Sequence, residues 1–382
     1  REQYYLHNFL SEQPDLNFHN SDVQDALLEV TRFWLGLGVD GFRLDTINFY
    51  VHDTELRDNP ALTKEQRNGS IAPSVNPYNH QEHLYSKNRP ENLDFLKRFR
   101  AVMEEYPAIA AVGEVGDALR GLEILGEYTA GDDKVHMCYA FEFLSGDSLT
   151  AARVAEVMDR TANVAADGWA CWAFSNHDVK RHATRWKLTP QAQRGLTTLL
   201  MTLRGSVCIY QGEELGLPEA DVAFEDLQDP YGIEFWPEFK GRDGCRTPMV
   251  WVSDNQNGGF SSARPWLPVS SAHLGHAVSV QEHAPEALLH HYRRAISFRR
   301  AHPVLAKGEI ENMKVEGDML NFERRDGSER LFVALNMSDG PGVVDLPDGN
   351  WVNIGAELGS ARPGPDGHVH LGPWQPCLAL KA

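Results

Sequence analysis

Asp45, Glu114 and Asp178 each close a short apolar run, and carboxylates so placed can act as nucleophile, proton donor or charge stabiliser. The first lies in Gly41-Phe42-Arg43-Leu44-Asp45-Thr46. On a strand, alternation puts Arg43 and Asp45 on one side and Phe42 and Leu44 on the other. A guanidinium two residues before the carboxylate favours the ionised acid that nucleophilic attack requires. A structural Arg–Asp ion pair accounts for this motif alone equally well. The second carboxylate lies in Val112-Gly113-Glu114-Val115-Gly116, where glycines and apolar neighbours favour a raised pKa and a retained proton. The third ends Phe174-Ser175-Asn176-His177-Asp178, which by itself reads as a buried hydrogen-bond network.

These residues need elements to position them. From about residue 22 to 302, short apolar runs alternate with helical patterns, the signature of βα units around a parallel sheet. A first helix carries Val23, Ala26, Leu27, Val30, Trp34 and Leu37 at helical spacing, and Gly38 ends it. Strands are expected near 39–45, 109–114, 136–143, 169–175 and 206–210, with helices near 92–106, 118–129, 148–163, 189–204 and 286–301. Long loops at 46–91 and 211–285 follow strands, and loops of that length inside a compact domain are usually functional. In a (β/α)8 TIM barrel the loops after strands build the active-site face, so all three carboxylates would gather there. Two carboxylates flanking a scissile bond are what glycoside hydrolysis needs.

Five strands do not close an eight-stranded barrel. The expectation is therefore the C-terminal five βα units of such a barrel, spanning 13–306, with the first three strands upstream of Arg1. An upstream segment of the same protein would then complete the barrel. Beyond residue 307 the period changes: Leu331, Val333, Leu335 and Met337 alternate, as do Val369/Leu371 and Leu378/Leu380. Residues 307–382 are thus expected to form a small antiparallel β-sandwich domain.

Five segments in order make the sequence similar to the α-amylase superfamily of retaining glycoside hydrolases, and within it to the bacterial α-glucosidase and oligo-1,6-glucosidase branch. GFRLDTINF resembles the nucleophile motif, VGEVG the acid/base motif and FSNHD the third-carboxylate motif. Gln13-Pro14-Asp15-Leu16-Asn17 and Gly241-Arg242-Asp243-Gly244-Cys245-Arg246-Thr247-Pro248-Met249 resemble two further signatures of that group. The resemblance implies that Asp45 attacks the anomeric carbon and that Glu114 protonates the leaving oxygen, then activates water. It implies that His177 and Asp178 hold glucose hydroxyls, that Arg43 orients Asp45, and that Arg246 helps close an exo-acting pocket. Thr46 just after the nucleophile goes, in this branch, with α-1,4 rather than α-1,6 linkages. Residues 1–12 resemble the exit of a domain inserted after the third barrel strand. Transglucosylation shares the same glucosyl-enzyme, so a transglucosidase, a sucrose-specific or trehalose-forming relative, and a non-catalytic binding subunit are the alternatives. The chemistry requires no cofactor; a structural divalent cation of some relatives would bind outside this sequence.

The bulk composition agrees. The 382 residues carry 42% hydrophobic and 24% charged residues and nine tryptophans, as a large domain with a substantial core does. A net charge of −18 disfavours nucleic acid and anionic membranes as partners; the partner that the resemblance implies is a small oligosaccharide or α-glucoside substrate. Cys138, Cys171, Cys208, Cys245 and Cys377 include no CxxC pair and read as small buried hydrophobes in a reducing, cytoplasmic setting; a signal peptide upstream would make the location periplasmic. His80/His83, His290/His291 and His368/His370 read as surface residues rather than metal ligands. Trp34, Trp169, Trp172 and Trp351 read as core, while Trp236 and Phe260 are candidates for lining aglycone subsites.

Overall fold

A computed structural model describes residues 3–67 and 72–382; positions 1–2 and 68–71, part of the expected 1–12 segment and of the 46–91 loop, lie outside the described residues. The chain divides into two compact units, residues 1–142 with 160–171, and residues 143–159 with 172–382. Along it run α1 (Ser21–Gly36), β1 (Gly41–Leu44), α2 (Asn92–Met103), β2 (Ala110–Val115), α3 (Gly121–Thr129), β3 (Met137–Ala140), α4 (Ala151–Val164), β4 (Cys171–Trp172), α5 (His182–Arg185), α6 (Pro190–Thr202) and β5 (Ser206–Val207). Short helices α7 (Pro230–Glu234), α8 (Ser271–Leu274) and α9 (Val278–Glu282) punctuate the second long loop before α10 (Leu288–Ala301) and α11 (Pro303–Lys307). The helices expected near 189–204 and 286–301 thus form, whereas the strands expected at 169–175 and 206–210 shrink to two residues each.

In the first unit β1, β2 and β3 form a parallel sheet in that order, with Arg43 opposite Val112 and Glu114 opposite Tyr139. A parallel bridge from Cys138 to Ala170 extends it. Phe42 meets Phe99 of α2 edge-on at 5.9 Å, as expected of the strand face turned toward the helices. Leu96, Phe99, Val115, Leu122, Leu125 and Cys138 lie in the buried core. Asn20 caps α1 by accepting from the Asp22 N–H at 2.9 Å, and Gly38 at φ +93° ends the segment. On α1 Leu28, Thr31 and Leu35 are buried, and the reading of Trp34 as core is corrected: it is exposed, as are Val30 and Leu37. The helix carries apolar residues on more than one face, and spacing alone does not say which of them finds a neighbour.

In the second unit α6 packs on α10. His291 on α10 is buried and bonds Thr198 and the Arg194 carbonyl, which corrects its reading as a surface histidine; burial holds its pKa down at about 4. The C-terminal strands are β6 (Glu309–Glu316), β7 (Met319–Asp326), β8 (Glu329–Asn336), β9 (Gly342–Asp345), β10 (Trp351–Asn353), β11 (His368–Leu371) and β12 (Pro376–Lys381). They form a five-stranded sheet in the order β10-β12-β8-β7-β6 and a two-stranded one, β11-β9. Phe332, Ala334, Val344, Trp351, Val369 and Cys377 join both sheets in one core, the packing expected of a sandwich. Fully buried Arg324 on β7 donates to the Thr202 carbonyl that ends α6 and to the Gly308 carbonyl, each at 2.6 Å. Cys208, just after β5, is exposed, which corrects its reading as a buried residue; the other four cysteines are buried. Among the described residues, no helix is long and apolar enough to cross a membrane.

Candidate active site

The first unit gathers Arg43, Asp45, Thr46 and Glu114. Arg43 forks between two carboxylates: Nη1 donates to Asp45 Oδ1, and Nη2 to Glu114 Oε2 at 2.7 Å. The same Nη2 donates to the Tyr139 hydroxyl at 2.6 Å. Asp45 follows directly on β1 with its side chain 73% exposed, whereas Glu114 at the end of β2 is buried. One carboxylate therefore meets solvent while the other sits among protein atoms, the asymmetry that separates acid and nucleophile roles. Burial raises Glu114 to about 7, Asp45 adds to the rise, and Arg43, the Thr46 N–H and Tyr139 oppose it.

Local backbone makes this possible. Thr46 lies in the left-handed region at φ 39°, uncommon for a β-branched residue, and the turn aims its N–H at Glu114 Oε2 at 3.2 Å. Ile47 then passes beneath β2, where a Cβ on Gly113 would stand 2.3 Å from Ile47 Cδ1 and 3.0 Å from Cys138 Sγ. Asn48 is buried and pairs its amide with both backbone groups of Gly116, at 3.0 and 3.2 Å, tying the loop after β1 to the loop after β2.

The second unit gathers His177, Asp178 and Arg246. Asn176 accepts from the Asp178 and Val179 N–H groups, which turns the chain so that Asp178 projects. Asp178 Oδ1 accepts from Arg242 Nη1 at 2.8 Å and from Arg246 Nη2 at 2.9 Å, while His177 Nε2 lies 3.2 Å from Oδ2. Arg246 Nε also donates to the His177 carbonyl at 2.7 Å. Arg181 and the Tyr210 hydroxyl both donate to the Cys245 carbonyl, fixing the backbone that carries Arg246. Trp236 is half-buried against Phe224, and Phe260 is exposed.

Sequence reasoning passed over Arg242 and Asp229. Arg242 makes a two-pronged pair with fully buried Asp229 at 2.9 and 2.8 Å and still reaches Asp178. That guanidinium holds Asp229 below the usual carboxylate range despite burial. The signal was the quoted Gly241–Met249 segment, which contains Arg242, but its partners lie far off in sequence. Arg242→Ala should leave Asp229 buried without its cation, with the backbone N–H groups of residues 231 and 242 still donating, and a loss of about 3 kcal/mol is expected in urea unfolding. A midpoint equal to wild type would show that Asp229 finds other donors. Tyr139 was also passed over.

Among the described residues no three His, Cys, Asp or Glu side chains are grouped as a metal site.

The alpha amylase catalytic-domain model matches residues 1–308. A probable alpha-glucosidase of Rhizobium meliloti (strain 1021) is 66% identical over 351 residues, 91% of this chain and 64% of that protein. An oligo-1,6-glucosidase of Parageobacillus thermoglucosidasius is 30% identical over 384 residues, 91% of this chain and 65% of that protein. The chain thus spans just under two thirds of the length of these relatives. Among solved structures, an alpha-glucosyl transfer enzyme is 45% identical with a TM-score of 0.94, covering 100% of this chain and 71% of that one. A trehalose-6-phosphate hydrolase of Bacillus licheniformis, 22% identical with a TM-score of 0.81 over 100% of this chain and 72% of that one, shares the fold.

Proposed function

The chain belongs to the α-amylase family, whose fold is a TIM barrel with a C-terminal antiparallel sheet domain, and from that premise we propose that it is a retaining, exo-acting α-glucosidase. It releases glucose from the non-reducing end of short α-glucosides. The observation that carries this reading is the single guanidinium of Arg43 bonded to both Asp45 and Glu114. That fork keeps the carboxylates near each other, as the roughly 5–5.5 Å spacing of retaining enzymes requires, rather than apart for an intervening water.

In this mechanism Asp45 attacks the anomeric carbon as the glycosidic C–O bond breaks, and Glu114 delivers its proton to the leaving oxygen. A β-glucosyl ester remains on Asp45. Glu114, now a carboxylate, takes a proton from water, which attacks the same carbon and releases Asp45 with net retention. By the resemblance, Asp178 and His177 serve the glucose hydroxyls, and Arg242 and Arg246 hold Asp178 in place by donating to its Oδ1. The resemblance gives Arg246 a part in closing the pocket around the terminal glucose. Thr46, following the nucleophile, supports preference for α-1,4 linkages, and maltose is the expected substrate.

A second reading, glucosyl transfer to an alcohol instead of water, is favoured by the 45% identical transfer enzyme. It uses the same glucosyl-enzyme and differs only in the acceptor. The share of glucosyl units recovered as oligosaccharide at high maltose concentration separates the two.

Proton NMR of a fresh reaction with p-nitrophenyl α-glucoside tests the mechanism. α-Glucose is expected first, with β-glucose appearing only by mutarotation. β-Glucose as the first product would overturn the double displacement.

A further inference from the structure

Tyr139 takes no part in the displacement described above, yet its hydroxyl stands where the charges of the first unit meet. The parallel register of β2 and β3 sets Tyr139 directly opposite Glu114, so both side chains leave the sheet on the same face. Tyr139 is 8% and Glu114 4% exposed, so their polar atoms must find partners mainly within the protein. Arg43 Nη2 supplies one: it donates to the Tyr139 oxygen at 2.6 Å and to Glu114 Oε2 at 2.7 Å. A phenol oxygen that already accepts has its own proton left to give, and Glu114, opposite in register and bonded to the same Nη2, is the neighbouring acceptor. Arginine, phenol and carboxylate therefore form a triangle with two edges made by hydrogen bonds from Arg43, and the third edge joins phenol and carboxylate.

We propose that Tyr139 is a positioning residue for the acid/base: its hydroxyl donates to the Glu114 carboxylate, steadies the Arg43 fork, and so sets the pH range in which Glu114 exchanges its proton. The inference rests on the acid/base role proposed for Glu114.

The groups facing Glu114 can be enumerated by element. From the end of β1 come the Arg43 guanidinium, the Asp45 carboxylate and the Thr46 N–H; from β3 comes Tyr139. Tyr50, in the loop after β1, feels the same charges. Both phenols are pushed well above their ordinary value, chiefly by burial, so Tyr139 remains a neutral donor across the working pH range. Burial and Asp45 favour the protonated acid, whereas the three donors favour the carboxylate. A proton donor and base used in alternate steps needs that balance near the working pH. Removing one neutral hydroxyl donor shifts the balance toward the protonated acid.

The test is a carbon-13 NMR titration of the Glu114 carboxyl in the full-length protein, with Glu114→Gln identifying its resonance. Tyr139→Phe, which keeps the ring, is expected to raise the Glu114 titration by about one pH unit. The alkaline limb of kcat/KM on maltose should move up with it. Site-specific incorporation of 3,5-difluorotyrosine at position 139, a stronger donor of the same shape, should move both downward and serves if Tyr139→Phe does not fold. An unchanged or lowered titration in Tyr139→Phe, or an unchanged or raised one with the fluorinated ring, overturns the proposal. Failure of the underlying reading looks different: Glu114→Gln would then turn over maltose as fast as wild type, while the titrations would still answer for Tyr139.

Discussion

Asp45→Asn is expected to lower kcat on maltose by at least about 10⁴-fold while the protein remains folded. An amide oxygen is too weak a nucleophile to form the glucosyl ester. Glu114 is buried and committed to Arg43 and the Thr46 N–H. The structural loss is small because the Asp45 side chain is 73% exposed and touches only one edge of the fork. Exposed ion pairs contribute roughly 0–1 kcal/mol, so the thermal midpoint should stay near wild type. A like charge also leaves the neighbourhood of Glu114, whose titration should fall. Steady-state rates with a melting curve check the first expectation. Activity within tenfold of wild type, in a folded variant, would sink Asp45 as nucleophile.

Glu114→Gln should cost about 10²–10⁴-fold in kcat/KM on maltose. The loss on p-nitrophenyl α-glucoside should be much smaller for the first step, since nitrophenolate leaves without a proton. Added azide should then restore turnover by attacking the glucosyl-enzyme without general-base help, yielding a glucosyl azide of retained configuration. The pH dependence follows from the raised pKa. Glu114 must hold a proton to protonate the leaving group, so kcat/KM should be high below about 7 and fall above it, and that limb should vanish in Glu114→Gln. Stability carries the same sign. Folded Glu114 keeps a proton between its ordinary 4.5 and about 7, a range in which the unfolded chain has released it. Its contribution is therefore complete below 4.5 and is lost as pH rises through 7. Equal losses on maltose and the nitrophenyl substrate would argue against proton donation.

Much of this was legible in the residues. Alternation on Gly41–Thr46 placed Arg43 beside Asp45, and the structure has them bonded. Glycines and apolar neighbours around Glu114 pointed to a raised pKa, and burial supplies it. The βα rhythm and the change of period after residue 307 located the elements, because each leaves a local imprint. Partners brought together from distant segments leave none. Arg242 reaches Asp229 across its own long loop and Asp178 in another, and nothing in its immediate surroundings names them. Tyr139 sits in an apolar run that reads as plain strand; only the register opposite Glu114 reveals its hydroxyl as a partner. Helix α1 failed differently, since its spacing was right while its burial was decided by the neighbours available to it.

The left-handed turn at Thr46 has a consequence for anyone redesigning the enzyme. The residue that the resemblance ties to linkage choice is also the one whose peptide N–H binds the acid/base. A valine there keeps the branched Cβ that this conformation resists, and a glycine relieves it. Either exchange can tilt the peptide plane and, through it, the proton affinity of Glu114. On the roles proposed for Thr46 and Glu114, substrate range and pH optimum are then linked traits. A library screened at one pH for new linkages will discard variants whose only fault is that they work best at another.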